Sequence, residues 1–221
     1  ALEGIGPQCG RMAGPGSITR FEVSPLGLAC HSVDGPLAAG ADVQGISATG
    51  YLSLLALLLR LGCLDADGHF RTPASPLARR VAPPPQQART GLRLPLPYGQ
   101  WLAAADVEEL LKVKAAFSQA LEALLRAAGL AAADVACLAL AGALGEHCPP
   151  ACLEELGFLP SGMGRRVRAV GNSSLDGAAL LAAEPWRLPA LARWCAAATL
   201  VPVAEDPGFH ADYLRHMRFG V

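Results

Sequence analysis

Two short apolar runs that end at glycine restrict the possible folds of this chain most strongly. The first, residues 135–141, stops at Gly142, and the second, residues 166–170, stops at Gly171. Each run passes into a helical pattern, as buried strands of α/β sheets do. Such a turn brings bare backbone and a helix N-terminus to one edge of the sheet, where an anion or a nucleotide can approach closely. The sequence therefore predicts an α/β fold with a candidate ligand edge.

The composition is that of a globular chain without a nucleic-acid partner. Of the 221 residues, 52% are hydrophobic and 17% are charged. Much of the apolar content is alanine and leucine, which favour helix over strand. The formal net charge is -1, whereas domains that bind nucleic acid normally carry a clear basic excess.

Membrane spans and disulfides are not expected either. The longest apolar run of the first half, Leu54 to Leu59, is too short to span a bilayer, and the chain does not open on a secretory pattern. Seven cysteines at scattered spacings, without a CxxC pair, favour neither a disulfide framework nor a zinc ribbon. We expect a cytoplasmic protein that does not contact a membrane.

The first hundred residues divide into two parts. The elements predicted in residues 1–70 are strands at 17–23 and near 28–33, a glycine turn at 45–50, and a helix from Tyr51 to Leu61. Prolines recur from 71 to 100, which indicates an extended, solvent-facing connection with one strand at 91–96.

Residues 101–221 alternate helices and strands. The clearest helix starts at Asp106, which with Glu109 resembles a capping box, and it ends at Gly129. The elements predicted after it are strand 135–141, a helix begun by Pro149, strand 166–170, helices 173–183 and 188–197, strand 198–203, and a last helix at 207–217. Alternation of this kind implies crossover connections and a largely parallel sheet.

Two sets of residues are candidates for ligand contact. Lys114 and Ser118 lie one turn apart on the long helix, so both can reach a ligand that lies across it. The second set is the turn from Gly142 to Gly145. Each set has a structural alternative, because the lysine and serine can form a solvated face and Gly142 can simply permit a tight turn. Asn172 can likewise be an N-cap and no more.

Metal binding and self-contained hydrolysis are not favoured. His147, Cys148 and Cys152 lack a fourth ligand nearby and are interrupted by two prolines, so we expect no metal site there. His210 and His216 are six residues apart and do not face each other, and no serine lies in a nucleophile elbow. The sequence leaves the catalytic residues unidentified.

A series of short segments carries a family resemblance along essentially the whole chain. The segments are residues 2–4, 10–18, 45–50, 106–116, 140–145, 157–160, 171–178, 205–209 and 217–219. In order and spacing they resemble the C-terminal part of the reductive activators of corrinoid proteins. Those activators are iron-sulfur proteins with an ATPase domain of the actin and heat-shock-chaperone type, abbreviated ASKHA.

The resemblance implies a ribonuclease H-like lobe, a mixed sheet flanked by helices, from a fold whose two lobes grip ATP in a cleft. The nucleotide contacts that it implies are Gly142, Ala143 and Gly145 beside the adenosine, Lys114 and Ser118 at the base or ribose, and Glu3 and Gly4 near the phosphates. The cofactors that it implies are magnesium-assisted ATP and, in a separate domain, a 2Fe-2S cluster.

The chain departs from the family pattern in two respects. The iron-sulfur domain and the hairpins that bind phosphates and magnesium are not in this sequence, so we expect them upstream of Ala1 in a longer protein. In addition, Ala48 and Thr49 replace a Gly-Ser pair, and Ala143 and Leu144 replace a Gly-Phe pair. These substitutions indicate a weakened affinity for the nucleotide.

The function implied by the resemblance is ATP-dependent return of Co(II) corrinoid proteins to Co(I). The partner would be the corrinoid protein of a methyltransferase or a corrinoid iron-sulfur protein, and a homodimer is compatible with the pattern. The alternative is a non-catalytic docking or dimerisation module whose nucleotide cleft has decayed.

Overall fold

The computed structural model describes residues 6–89 and 91–220. Glu3 and Gly4, which the resemblance places near the phosphates, lie outside these residues. The strands are β1 (Ser17–Ile18), β2 (Arg20–Ser24), β3 (Gly27–Ser32), β4 (Gly35–Pro36), β5 (Gly45–Ile46), β6 (Gln86–Ala88), β7 (Gly91–Pro95), β8 (Trp101–Ala103), β9 (Leu138–Leu140) and β10 (Val167–Ala169). The helices are α1 (Ala48–Arg60), α2 (Pro76–Val81), α3 (Ala104–Ala128), α4 (Gly142–His147), α5 (Pro150–Glu155), α6 (Ser173–Ala183), α7 (Leu188–Ala197) and α8 (Phe209–His216).

Helix α1 forms the centre of the hydrophobic core. Ser47 caps its first turn, since the Ser47 Oγ accepts a hydrogen bond from the Gly50 N–H at 3.2 Å. Only glycine fits at position 50, because an added Cβ would lie 2.3 Å from the Ile18 carbonyl oxygen. Every residue from Tyr51 to Leu58 is buried. The predicted glycine turn that opens a helix is confirmed, and the helix starts at Ala48.

The sheets are mixed in direction. β9 and β10 are parallel, as are β1 and β5, whereas β2–β3–β4 and β6–β7–β8 are antiparallel three-stranded sheets. The mixed α/β class is therefore confirmed. The parallel pairing predicted from the alternation in residues 101–221 is confirmed for β9 and β10. It does not extend to the whole molecule, because short hairpin connections link successive strands within both antiparallel sheets.

The proline-rich segment is more structured than an extended connection. The predicted strand at 91–96 is present as β7, but the segment also contains α2, β6 and a 3-10 turn at Pro97–Gly99. Pro76 and Pro97 each begin a helical element, where the missing N–H of proline forfeits no hydrogen bond. These prolines mark the starts of elements.

Helix α3 ends as predicted but starts differently. It stops at Gly129, whose φ of +66° gives the left-handed conformation of a helix C-terminus. Asp106 is not the N-cap. It lies in the first turn, where its carboxylate accepts hydrogen bonds from the Ala103 and Gln8 N–H groups, both at 3.0 Å. Burial nevertheless raises the pKa of Asp106. The carboxylate ties the start of α3 to the N-terminal segment.

The C-terminal part contains the predicted helices but lacks one predicted strand. α6 and α7 coincide with the helices expected at 173–183 and 188–197, and neither buries a residue. The prediction of a strand at 198–203 is wrong. That segment is irregular and leads into a 3-10 turn at Val203–Glu205, and Pro202 has no N–H to offer a strand ladder. Within 6–89 and 91–220, no helix combines the length and apolarity needed to cross a bilayer.

Candidate functional site

The ends of β9 and β10 lie side by side, as the two glycine-ended runs predict. The Val170 N–H donates to the Leu140 carbonyl at 3.0 Å, and the Gly142 N–H donates to the Gly171 carbonyl at 2.7 Å. Gly142 and Gly171 have φ values of +83° and +62°, which glycine adopts at low cost. An added Cβ would meet no atom within 4 Å at either position, and Ala143 beside them is exposed. We call these two turns the glycine edge.

A helix starts directly behind each turn of the glycine edge. α4 begins at Gly142, and Gly145 packs so closely on β9 that an added Cβ would lie 2.7 Å from the Leu140 Cβ. α6 begins after Asn172, whose Oδ1 accepts a hydrogen bond from the Leu175 N–H at 3.2 Å. Asn172 is therefore an N-cap. Open backbone beside two helix N-termini suits an anionic ligand.

Lys114 is enclosed by the end of α8. Its side chain is fully buried, and its Nζ donates to the carbonyls of His216 at 3.1 Å and Arg218 at 2.8 Å. Because these carbonyls lie at the C-terminus of α8, the ammonium faces the negative end of the helix dipole. Burial, helped by the charge of Arg215, lowers the pKa of Lys114 to about 8. The contact of Lys114 with a base or ribose stays a prediction.

Ser118 joins a polar chain that runs from α3 to α8. Its Oγ lies 2.9 Å from His216 Nδ1, and His216 Nε2 lies 2.8 Å from the Glu122 carboxylate. The Ser118 hydroxyl also donates to the Lys114 carbonyl at 2.9 Å. Burial lowers the pKa of His216, although Glu122 opposes the shift. Burial alone would raise the pKa of Glu122, but the hydrogen bonds from Arg215 and His216 outweigh burial, and the pKa is lowered.

The local sequence does not identify His216 and Glu122 as members of this chain. The sequence does show a polar stripe along one face of α3, because polar residues recur every four positions at Lys114, Ser118 and Glu122. This stripe indicates which side of α3 has polar partners. The histidine that meets the stripe is 98 residues from Ser118. Helical spacing gives a shared face but not the helix that packs on it.

An open cleft of about 480 Å³ lies beside the polar chain, between α3, α8 and the loop 157–160. Charged and apolar side chains line it together, among them Ser118, Glu122, Arg126, Arg215 and Phe158. Ala132, on the chain that enters β9, also borders the cleft, whereas Gly142 follows the opposite end of that strand. The described hydrogen bonds of Lys114 and Ser118 lie within α3 and with the end of α8, so a ligand that touches both these residues and the glycine edge has to extend along β9.

One group of the described residues has ligand atoms close enough to hold a metal ion. Atoms of Asp65, Asp67 and His69 lie within 4.8 Å of one another. Arg71 pairs with Asp65 at 2.6 Å and Arg218 pairs with Asp67 at 2.7 Å. The two carboxylates are thus matched by arginines, and their arrangement is explained by ion pairs.

Comparisons with known proteins agree along the whole chain. Residues 1–220 match the family described as the C-terminal domain of RACo, the ASKHA domain. A protein of Eubacterium limosum named corrinoid activation enzyme RamQ is 26% identical over 229 residues, which cover 100% of this chain and 38% of that protein. A solved structure named reductive activator for corrinoid, iron-sulfur protein matches with a TM-score of 0.83 and 23% identity.

The solved structure matches over 99% of this chain but only 35% of its own length. The chain therefore spans well under half the length of both relatives. The activities in these names are those of the relatives. The structural match shows that this chain shares their fold.

Proposed function

Because the chain belongs to the family of C-terminal ASKHA domains of RACo, we propose that it is the nucleotide-binding part of an ATP-dependent activator of corrinoid proteins. The glycine edge carries this proposal, since a nucleotide needs open backbone and helix N-termini at one sheet edge. Gly142, Ala143 and Gly145 border the adenosine in this arrangement.

Lys114 and Ser118 are the proposed contacts to the base or ribose. Ser118 borders the cleft, whereas Lys114 is enclosed by the end of α8. Direct contact with a nucleotide therefore requires α8 to move away from α3. Glu3 and Gly4 are proposed near the phosphates, where magnesium arrives with ATP.

An iron-sulfur centre does not fit the residues described in this chain. Its seven free cysteines are scattered over buried and exposed positions, and no cysteine group with metal-ligand geometry occurs within 6–89 and 91–220. We propose that a 2Fe-2S cluster belongs to another domain, which supplies the electron. Free thiols fit a reducing compartment, so we place the protein in the cytoplasm.

ATP binding acts on a conformational equilibrium in this proposal. A nucleotide that binds one arrangement of the lobes more tightly shifts the population toward that arrangement. The same coupling changes the affinity for a corrinoid partner, either a methyltransferase corrinoid protein or a corrinoid iron-sulfur protein. The residues of this chain bind and orient the nucleotide, and the return of Co(II) to Co(I) uses an electron from elsewhere. We propose a homodimer as the assembly.

The test is an ATP titration by calorimetry on the protein in its natural full length. Ala143→Glu places a longer, charged side chain at the exposed glycine edge, where it occupies the space proposed for the adenosine, and it is expected to weaken ATP binding about tenfold. Ala116→Glu adds the same charge at an exposed position of α3 and is expected to leave the affinity unchanged. Hydrogen exchange measures whether ATP protects the backbone at 140–145.

Two results contradict the nucleotide proposal. One is the absence of binding heat in the wild-type protein, together with unprotected amides at 140–145. The other is an equal loss of affinity in both charge variants, which would place the nucleotide away from the glycine edge.

A docking module with a decayed nucleotide cleft is the second candidate. The altered glycine turn at 48–49 and the exposed apolar side chains of α6 and α7 favour it. The same titration separates the two candidates, because a decayed cleft gives no heat with ATP while a corrinoid protein still binds.

A further inference from the structure

Helix α8 is held against α3 mainly by polar groups. Its one fully buried residue is His216, its aromatic side chains Phe209 and Tyr213 are partly buried, and Leu214 is 68% exposed. Besides the polar chain through Ser118, the Gln119 side chain donates to the Phe209 carbonyl at 2.9 Å. No apolar side chain of α8 is fully buried, so the interface gains less from apolar burial than helix pairs usually do.

Ion pairs also join the two helices. Arg215 of α8 meets Glu122 at 2.9 Å, and Arg126 of α3 meets Asp212 at 3.3 Å. The four side chains are between 28% and 54% exposed. Ion pairs at such exposure contribute little individually and weaken as salt rises.

The segment after α8 is anchored quite differently. Phe219 is 3% exposed, and its N–H donates to the Ala66 carbonyl at 2.8 Å. The Gly220 N–H donates to the Leu156 carbonyl at 3.2 Å. A polar helix thus precedes a buried apolar anchor.

We propose that α8 is an electrostatic strap over the cleft. It closes on α3 through the ion pairs, the Ser118–His216 contact and the hydrogen bond from Lys114 to the His216 carbonyl, and it lifts while Phe219 remains in place. This inference rests on the proposed function, because the ligand admitted to the cleft is the nucleoside part of ATP. In the closed arrangement Ser118 is only 7% exposed, so His216 and the ligand compete for the same hydroxyl.

The strap reduces the apparent affinity for the nucleotide. A ligand that binds only the open arrangement has an apparent Kd equal to its intrinsic Kd divided by the open fraction. Weakening the strap raises the open fraction and therefore tightens binding, whereas the loss of a true ligand contact weakens it. The direction of the change in ATP affinity therefore distinguishes a residue that holds the strap closed from a residue that contacts the ligand.

The test compares Arg215→Gln with Lys112→Gln in the protein in its natural full length. Arg215 joins α8 to Glu122, whereas the ion pairs of Lys112 with Glu108 and Glu109 stay within α3. Arg215→Gln is expected to speed hydrogen exchange at 209–216 about fivefold and to lower the Kd for ATP about fivefold. Higher salt is expected to speed exchange in the wild type, and Lys112→Gln is expected to behave as wild type.

Unchanged exchange at 209–216 in Arg215→Gln overturns the strap, as does faster exchange with an unchanged or weaker affinity for ATP. Failure of the proposed function has another signature. The wild type then gives no binding heat with ATP while Arg215→Gln still speeds the exchange of α8, so the nucleotide assignment alone fails.

Discussion

At the scale of the residue, Lys114 gives the clearest pH dependence. Its pKa is about 8 in the folded chain and 10.5 for the ordinary side chain, so the unfolded chain binds more protons between these values. The contribution of Lys114 to the free energy of unfolding is therefore highest above pH 10.5, and it is lost as the pH falls from 10.5 through 8. From pH 8 to 10.5, the free energy of unfolding of the wild type should rise by about 3 kcal/mol relative to Lys114→Met.

The measurement is urea unfolding of both proteins across that pH range, and the quantity of interest is their difference. Burial raises the pKa values of Cys30 and Cys148 to about 12 and also raises the pKa of Tyr51. These groups lower stability at alkaline pH equally in both proteins, so they cancel. A difference that does not change with pH would show that the lysine is not enclosed.

Lys114 also separates what the sequence determines from what packing determines. The four-residue spacing predicts correctly that Lys114 and Ser118 share a face of α3. Their partners at His216 and Arg218 lie about a hundred residues away, which no local pattern encodes. The glycine edge was predictable because strand, glycine and helix N-terminus are neighbours in the sequence.

At the scale of the element, the tail after α8 is expected to be a structural anchor. Phe219→Ala removes a buried aromatic side chain that packs in the core, and the cavity left behind should cost about 3–5 kcal/mol. Leu214→Ala is the matched control on α8, since that side chain is 68% exposed and should change stability by less than about 0.5 kcal/mol. Urea unfolding of the two variants measures both values, and equal losses would contradict the anchor.

Helices were more predictable than strands for a physical reason. α6 and α7 follow from local periodicity and end signals, and their bounds match the predicted ranges. A strand also needs a neighbour, and the apolar segment 198–203 has none among the described residues. The antiparallel sheet of β6, β7 and β8 was only partly predictable, because its pairing joins segments that proline content alone describes as a connection.

At the scale of the whole molecule, apolar surface is distributed very unevenly. Helix α1 is enclosed, whereas no residue from Arg168 to Leu200 is buried. This stretch includes Trp186 at 72% exposure and Trp194 at 80%. Parallel strands such as β9 and β10 are normally covered on both faces. The stretch therefore leaves large apolar side chains exposed beside strands that are normally covered.

The double variant Trp186→Ser, Trp194→Ser tests that surface in the 221-residue chain. Because both indoles are exposed, the free energy of unfolding should change by less than about 1 kcal/mol, while binding of a hydrophobic dye and self-association should fall. Trp101→Ser is the control, since its partly buried ring stacks with the Arg93 guanidinium 4.5 Å from its centroid. That control should lose stability and keep its dye binding. The reverse pattern would mean that α6 and α7 pack into a core.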